Sequence, residues 1–185
     1  MRVVAGEARS IPLVTPSGKD TRPTTDRIKE TLFNMIQTEV PGSCFLDLFA
    51  GSGGVGIEAL SRGAKKAFFV EFGREAIGCI KTNLTKTKFV DKGILLPVEV
   101  SYGIVKLKQM GEKFDIVFAD PPYNCGWEPK ILQVLADNNV LQEGALVIIE
   151  TSLKTEVDYV NSQVFDIEKI KDYKTNRHVF LRLKK

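Results

Sequence analysis

The stretch Phe45 to Gly56, reading FLDLFAGSGGVG, constrains the fold of this chain more than any other. An apolar run suited to a buried strand meets a turn in which Gly51, Gly53 and Gly56 fit G-x-G-x-x-G, and a helix is expected to open behind it. Such a turn bends sharply and lets a ligand approach backbone that a Cβ would otherwise screen. Taken alone, the pattern serves dinucleotides as well as other adenosine-containing cofactors. Two carboxylates sharpen it. Asp47 stands inside the apolar strand, where an unpartnered charge is costly, and Glu71 ends the next apolar run, 20 residues beyond Gly51.

From Cys44 onward, apolar strands alternate with amphipathic helices, as in a doubly wound α/β sheet. Strands are expected at 44–48, 67–70, 93–97, 114–119 and 145–150, and helices at 54–62, 74–86, 101–109 and 128–138. The alternation then stops. Gln163 to Asp172 and Val179 to Leu183 read as two extended runs with no helix between them, a terminal antiparallel hairpin. Ahead of the core, Val3-Val4 and Ile11 to Val14 flank a Gly6-Glu7-Ala8 turn and suggest a small N-terminal hairpin with Arg2 and Arg9 on its exposed side. Thr21 to Met35 (TRPTTDRIKETLFNM) then places Ile28, Leu32, Met35 and Ile36 on one helical face, before Pro41-Gly42 closes the region. With 185 residues and 43% hydrophobic content the chain supports one well-cored domain. The expectation is a single domain over 1–185, with 1–42 as an extension and 43–185 as the core.

Cys44, Cys79 and Cys125 are odd in number and widely spaced, which suggests neither a disulfide framework nor a zinc site and fits a reducing cytoplasm. No signal core or membrane-length apolar run is present, so no membrane association and no metal are expected. Net charge is +3, but Lys169 to Lys185 carries seven Lys or Arg against the single acid Asp172. That asymmetry suits a polyanionic partner.

Asp120-Pro121-Pro122-Tyr123 follows the apolar run Phe114 to Ala119 and therefore stands at a strand's carboxyl end, beside the glycine turn. Two prolines fix φ and remove backbone donors, leaving carbonyl oxygens and the Asp120 carboxylate as a rigid set of acceptors beside an aromatic ring. Acceptors of this kind suit an exocyclic NH₂, whose lone pair is delocalised into its base until both hydrogens are gripped. Tyr123 is placed to stack on that base, a contact worth about 1–3 kcal/mol.

The FLDLFAGSG turn followed by DPPY resembles the class I S-adenosylmethionine-dependent methyltransferases that modify exocyclic amines. The preceding TRPTTDRIKETLFN is similar to the RsmD type, the 16S ribosomal RNA guanine-N2 methyltransferases, some of which carry the looser label of DNA adenine methylase. The resemblance spans almost the whole chain and implies a Rossmann-like class I sheet using S-adenosyl-L-methionine. It further implies that Asp47, Phe49, Gly51, Ser52 and Gly53 line the methionine and ribose of the cofactor, that Glu71 binds the ribose hydroxyls, and that Asp120, Pro121, Pro122 and Tyr123 hold the amine. The expected partner is 16S ribosomal RNA or an assembling small ribosomal subunit, with Arg9, Arg22 and Arg27 on its phosphates. Gly73 and Val100 depart from the family pattern on the adenine side, where only the adjacent Glu99 is acidic.

Plainer explanations stand beside these. Asp47 suits a helix cap, Glu71 a solvated strand end, Trp127 either a cover over the base or a packing residue, and the lysine-rich tail an ordinary surface. His178, the only histidine, sits among basic residues and is expected to be solvated or in contact with nucleic acid. Two rival enzyme readings are a DNA adenine-N6 methyltransferase and a nicotinamide oxidoreductase; the second leaves DPPY unexplained and lacks a second domain for its substrate. A non-catalytic RNA-binding relative is the remaining alternative.

Overall fold

The computed structural model describes residues 1–17 and 26–184. Its order is α1 (Asp26–Met35), β1 (Cys44–Leu48), α2 (Gly54–Ser61), β2 (Lys66–Val70), α3 (Arg74–Thr87), β3 (Gly93–Leu96), α4 (Val100–Gln109), β4 (Phe114–Ala119), α5 (Trp127–Asn138), β5 (Leu141–Thr151), β6 (Phe165–Asp172) and β7 (Arg177–Leu183). The strands form one sheet in the order β3-β2-β1-β4-β5-β7-β6. The five core strands run parallel, and β7 is antiparallel to both β5 and β6. The terminal hairpin is therefore as expected, and it extends the parallel sheet on the β5 side.

Side-chain alternation along the strands divides the interior in two. Phe45, Ala67, Phe69, Ile116, Phe118 and Ile148 face α1, α2 and α3, with Leu32, Phe33, Ile57, Leu60, Ile80 and Leu84 packed against them. Leu46, Leu48, Phe68, Val70, Val117 and Ile149 face α4 and α5, meeting Ile104, Leu107, Ile131 and Leu135. Strands buried on both faces explain why the sequence shows continuous apolar runs where an exposed sheet would alternate. The strand order reverses between β1 and β4, so their carboxyl ends diverge into a crevice, the usual ligand position in such sheets.

The expected N-terminal hairpin forms, but it is short and anchored on the helices. Only one bridge forms, between Arg2 and Pro12. Backbone bonds join the two runs from Val3 N–H to the Ile11 carbonyl at 3.0 Å, Ser10 N–H to the Val3 carbonyl at 2.8 Å and Leu13 N–H to the Met1 carbonyl at 3.1 Å, while the N–H groups of Val4 and Ala5 donate to the two oxygens of Glu58 on α2 at 2.8 and 3.0 Å and Val14 N–H donates to Asn83 Oδ1 on α3 at 2.8 Å. Glu58 in turn meets the buried Lys29 ammonium of α1 at 3.2 Å and Arg62 at 2.8 Å, while Lys29 Nζ donates to the Arg2 carbonyl at 2.6 Å. The ladder stays short because remote side chains accept the donors of Val4, Ala5 and Val14. The helix expected from Thr21 is seen from Asp26; the residues before it, Arg22 among them, lie outside the described residues.

Candidate active site

The crevice is a cavity of about 620 Å³ bounded by the glycine turn on one side and by Asp120 to Tyr123 on the other. Asp47, Phe49, Gly51, Ser52, Glu71, Asp120, Pro121, Pro122 and Tyr123 all line it; Gly53 does not, and instead caps α2 in a left-handed conformation. Gly51 has φ +54° and no atom within 4 Å of the position a Cβ would take, so its bare backbone opens onto free space. Gly56 has a different reason to be glycine, since a Cβ there would come within 2.4 Å of the Phe69 ring and part α2 from β2.

Asp47 points from β1 toward α2 and accepts the Gly56 N–H at 2.8 Å. It therefore does cap a helix while also lining the cavity. Burial pushes its carboxyl up to about 8, with the Gly56 hydrogen bond opposing and the Glu71 charge adding to the rise. Glu71 is held differently: Oε2 accepts Gly51 N–H at 2.8 Å, and Oε1 accepts Phe72 N–H at 2.9 Å and Gly73 N–H at 2.7 Å. This carboxylate ties the glycine turn to the start of α3. A Cβ at Gly73 would stand 3.1 Å from Glu71 Oε1, so glycine there leaves the carboxylate room. Glu99 caps α4 by accepting Tyr102 N–H at 3.2 Å and does not line the cavity.

On the opposite wall, burial, followed by the charges of Glu150 and Asp47, holds the Asp120 carboxyl well above the ordinary carboxylate range. Tyr123, 38% exposed, donates its hydroxyl to Glu150 Oε1 at 2.7 Å, which ties down one edge of a ring that borders the cavity. Phe49 and Trp127 meet edge to face with ring centroids 5.1 Å apart, so Trp127 packs at the base of the loop.

His178 overturns the sequence expectation. It is fully buried, with Nε2 3.0 Å from Glu150 Oε2 and Nδ1 3.3 Å from the Tyr173 hydroxyl. Its basic neighbours misled, because alternation along β7 sends its ring to the side of Phe118 and Phe180. Glu150 and Asn176 were not singled out from the sequence, yet both line the cavity. Glu150 had a signal: Ile148-Ile149-Glu150 repeats the pattern of an apolar run closed by an acid seen at Val70-Glu71 and Ala119-Asp120. Arg9 and Arg27 are exposed. The basic tail is partly neutralised, since Arg177 pairs with Asp172, Arg182 with Glu39 and Glu168, and Lys184 with Asp166. Among the described residues, no group of three His, Cys, Asp or Glu could hold a metal ion, and no helix is long and apolar enough to cross a membrane.

A parallel sheet with a glycine turn after β1, an acid after β2, an Asp-Pro-Pro-Tyr after β4 and an antiparallel terminal hairpin defines a class I methyltransferase fold. The structure of yhhF from Escherichia coli, provisionally a methyltransferase, aligns with a TM-score of 0.86 at 29% identity over 100% of this chain and 98% of that one. The family described as "Conserved hypothetical protein 95" matches residues 1–182, and the chain belongs to it. Among curated relatives, the ribosomal RNA small subunit methyltransferase D of Haemophilus influenzae is 38% identical over 153 residues, 82% of this chain and 78% of that protein. The enzyme of the same name from Escherichia coli K12 is 35% identical over 154 residues, 83% of this chain and 76% of that one. The chain is accordingly a methyltransferase.

Proposed function

We propose that this protein transfers a methyl group from S-adenosyl-L-methionine to the exocyclic N2 of a guanine in 16S ribosomal RNA, acting in the cytoplasm on the RNA or the assembling small subunit. The observation that carries the reading is the placing of Asp120 to Tyr123 across one cavity from the glycine turn. Relatives named as small-subunit ribosomal RNA methyltransferases support the choice of RNA. The residues fit the cofactor: bare backbone at Gly51 faces open space, and Glu71 Oε2, which holds a single N–H, keeps a lone pair beside it. When bound, that cofactor supplies a methyl on a positively charged sulfur, open to in-line attack.

Everything else falls to the chain's own residues, and it is mainly positioning. Asp120 and the Pro121 carbonyl accept the hydrogens of the amine and turn its lone pair toward the methyl. On gaining the methyl that the bound cofactor would supply, the amine would have one proton to lose. Ionised Asp120, whose proton affinity is raised by burial and by the charges of Glu150 and Asp47, is suited to take it. Tyr123 fixes the plane of a base splayed out of its stack.

We read the whole chain as one domain, with 1–42 as an extension that helps hold RNA. Arg9, Arg22 and Arg27 are assigned to phosphates, and neutralising all three should weaken RNA binding and flatten its salt dependence. Incubation with radiolabelled cofactor, offering small ribosomal subunits and duplex DNA in parallel, tests the function. Label is expected in 16S RNA; label in DNA alone would move the chain to the DNA adenine-N6 methyltransferases.

A further inference from the structure

His178 is a fully buried polar ring that the mechanism above leaves unused. It stands directly across from Glu150 in the antiparallel pairing of β5 with β7, and its Nε2 lies 3.0 Å from Glu150 Oε2. The other oxygen of that carboxylate, Oε1, accepts the Tyr123 hydroxyl at 2.7 Å. On the far edge of the imidazole, Nδ1 is 3.3 Å from the hydroxyl of Tyr173, in the segment between β6 and β7. Three hydrogen bonds thus run in one line, from Tyr173 through His178 and Glu150 to Tyr123, and the last two of these residues line the cavity.

The line has little freedom. Phe118, Tyr173 and Phe180 meet the imidazole edge to face with ring centroids 5.8, 4.8 and 6.3 Å away, so the ring cannot turn without displacing an aromatic neighbour. A carboxylate only accepts, so Nε2 carries the hydrogen of its bond to Glu150. Burial opposes the charge on Glu150, but the hydrogen bonds of His178 and Tyr123 prevail and hold its carboxyl below the usual range. Burial, then the Glu150 charge, push the Tyr173 hydroxyl up to about 12, so it keeps its proton.

A core position alone is filled as well by an apolar ring, which brings no polar atoms to satisfy. Here the imidazole settles where the second carboxylate oxygen sits. Tyr123 is 38% exposed, and its bond to Glu150 fixes the phenol end of its ring. Without His178 the Glu150 carboxylate would stay buried with a donor missing, a need that rotation toward other donors would meet. Such a rotation carries off the acceptor of the Tyr123 hydroxyl.

We propose that His178 is a positioning residue: through Glu150 it holds the Tyr123 ring in the plane on which the target base stacks. This rests on the methyl-transfer reading above and adds to it a residue that touches neither base nor cofactor. The glycine turn is braced separately, by Glu71 and Asp47 on backbone N–H groups, so loss of His178 leaves the cofactor cradle standing.

The test is a double-mutant cycle on the whole chain, with small-subunit RNA as substrate and radiolabelled S-adenosyl-L-methionine. His178→Leu is expected to lower kcat/KM about 10- to 100-fold in the parent and by less than about threefold in a Tyr123→Phe background, where Glu150 has no hydroxyl left to hold. His178→Gln, whose amide nitrogen reaches toward Glu150 as Nε2 does, is expected to recover most of the loss. Affinity for S-adenosylhomocysteine should stay within about threefold throughout. A general structural defect would instead slow both backgrounds by the same factor or weaken S-adenosylhomocysteine binding, and either outcome overturns the proposal. So does His178→Leu at the parent rate, or His178→Gln as slow as His178→Leu. Should His178→Leu fail to fold, Tyr173→Phe takes its place, with a loss of about threefold expected in the parent and none in the Tyr123→Phe background; no loss in the parent overturns the proposal. Failure of the parent protein to label small-subunit RNA would overturn the methyl-transfer reading, so the two failures are told apart.

Discussion

On one side of the crevice Glu71 gives its two oxygens to three backbone N–H groups and Asp47 takes a fourth, whereas on the other side Glu150 is held by the side chains of Tyr123 and His178 beside an Asp120 that faces the cavity. The first side is built by backbone and so is fixed once β1, β2 and the turn between them have folded. The second draws on β4, β5, β7 and the β6–β7 turn, and there the Glu150 charge raises the proton affinity of Asp120. A rigid backbone cradle suits a cofactor that is the same in every turnover. A side-chain wall is where a substrate can be chosen and a proton moved.

Removing Asp120 should break the comparison most sharply. Asp120→Ala is expected to lower the single-turnover methylation rate by roughly 10³-fold or more, since orienting contact and proton acceptor vanish together. Affinity for S-adenosylhomocysteine, measured by calorimetry, should stay within about threefold. Methylation at the parent rate would show that the amine is gripped elsewhere.

The complementary change, Glu71→Ala, should weaken S-adenosylhomocysteine binding by about 10- to 100-fold and also lower the melting temperature, because the Gly51, Phe72 and Gly73 N–H groups all lose their acceptor. Unchanged affinity would take Glu71 out of the cofactor site.

A smaller effect reads the coupling across the second wall. Methylation should require ionised Asp120, so the single-turnover rate should fall as pH drops through a midpoint above the usual carboxylate value of about 4. Glu150→Gln removes a negative charge that raises the Asp120 pKa, and the midpoint should therefore move to lower pH. A midpoint that stays in place would mean that the two carboxyls do not sense one another.

The smallest change concerns Asp47. Its folded pKa of about 8 lies above the unfolded value of about 4, so the neutral form is preferred in the fold. The group costs nothing below the unfolded pKa, and its burden grows as pH rises toward 8, then levels off. Asp47→Asn keeps an acceptor for Gly56 N–H without the charge, and should raise stability by about 1–3 kcal/mol at pH 9 with no gain at pH 4. Denaturant melts at the two pH values check this, and an equal gain at both would point to packing instead.

The backbone-built side was legible in the sequence because its parts are local. The glycine turn and Glu71 are separated by one helix and one strand, and DPPY is four consecutive residues. Glu150, His178 and Asn176 come together only when β7 lies down antiparallel on β5, a pairing that no short stretch announces. Asn176 in particular stands in a polar turn, Lys174-Thr175-Asn176, like many that have no role. The N-terminal hairpin is present but short, and what the sequence did not announce is that Glu58 and Asn83, more than fifty residues away, take the N–H groups of Val4, Ala5 and Val14.

The claim that these two walls together serve guanine N2 in small-subunit RNA is tested most directly by incubating the protein and S-adenosyl-L-methionine with small ribosomal subunits lacking the modification, then digesting the 16S RNA to nucleosides for mass spectrometry. N2-methylguanosine at a single position, absent when Asp120→Ala replaces the parent protein, is the predicted result. N6-methyladenosine in its place, or no methylated nucleoside while duplex DNA in the same buffer is methylated, would contradict it.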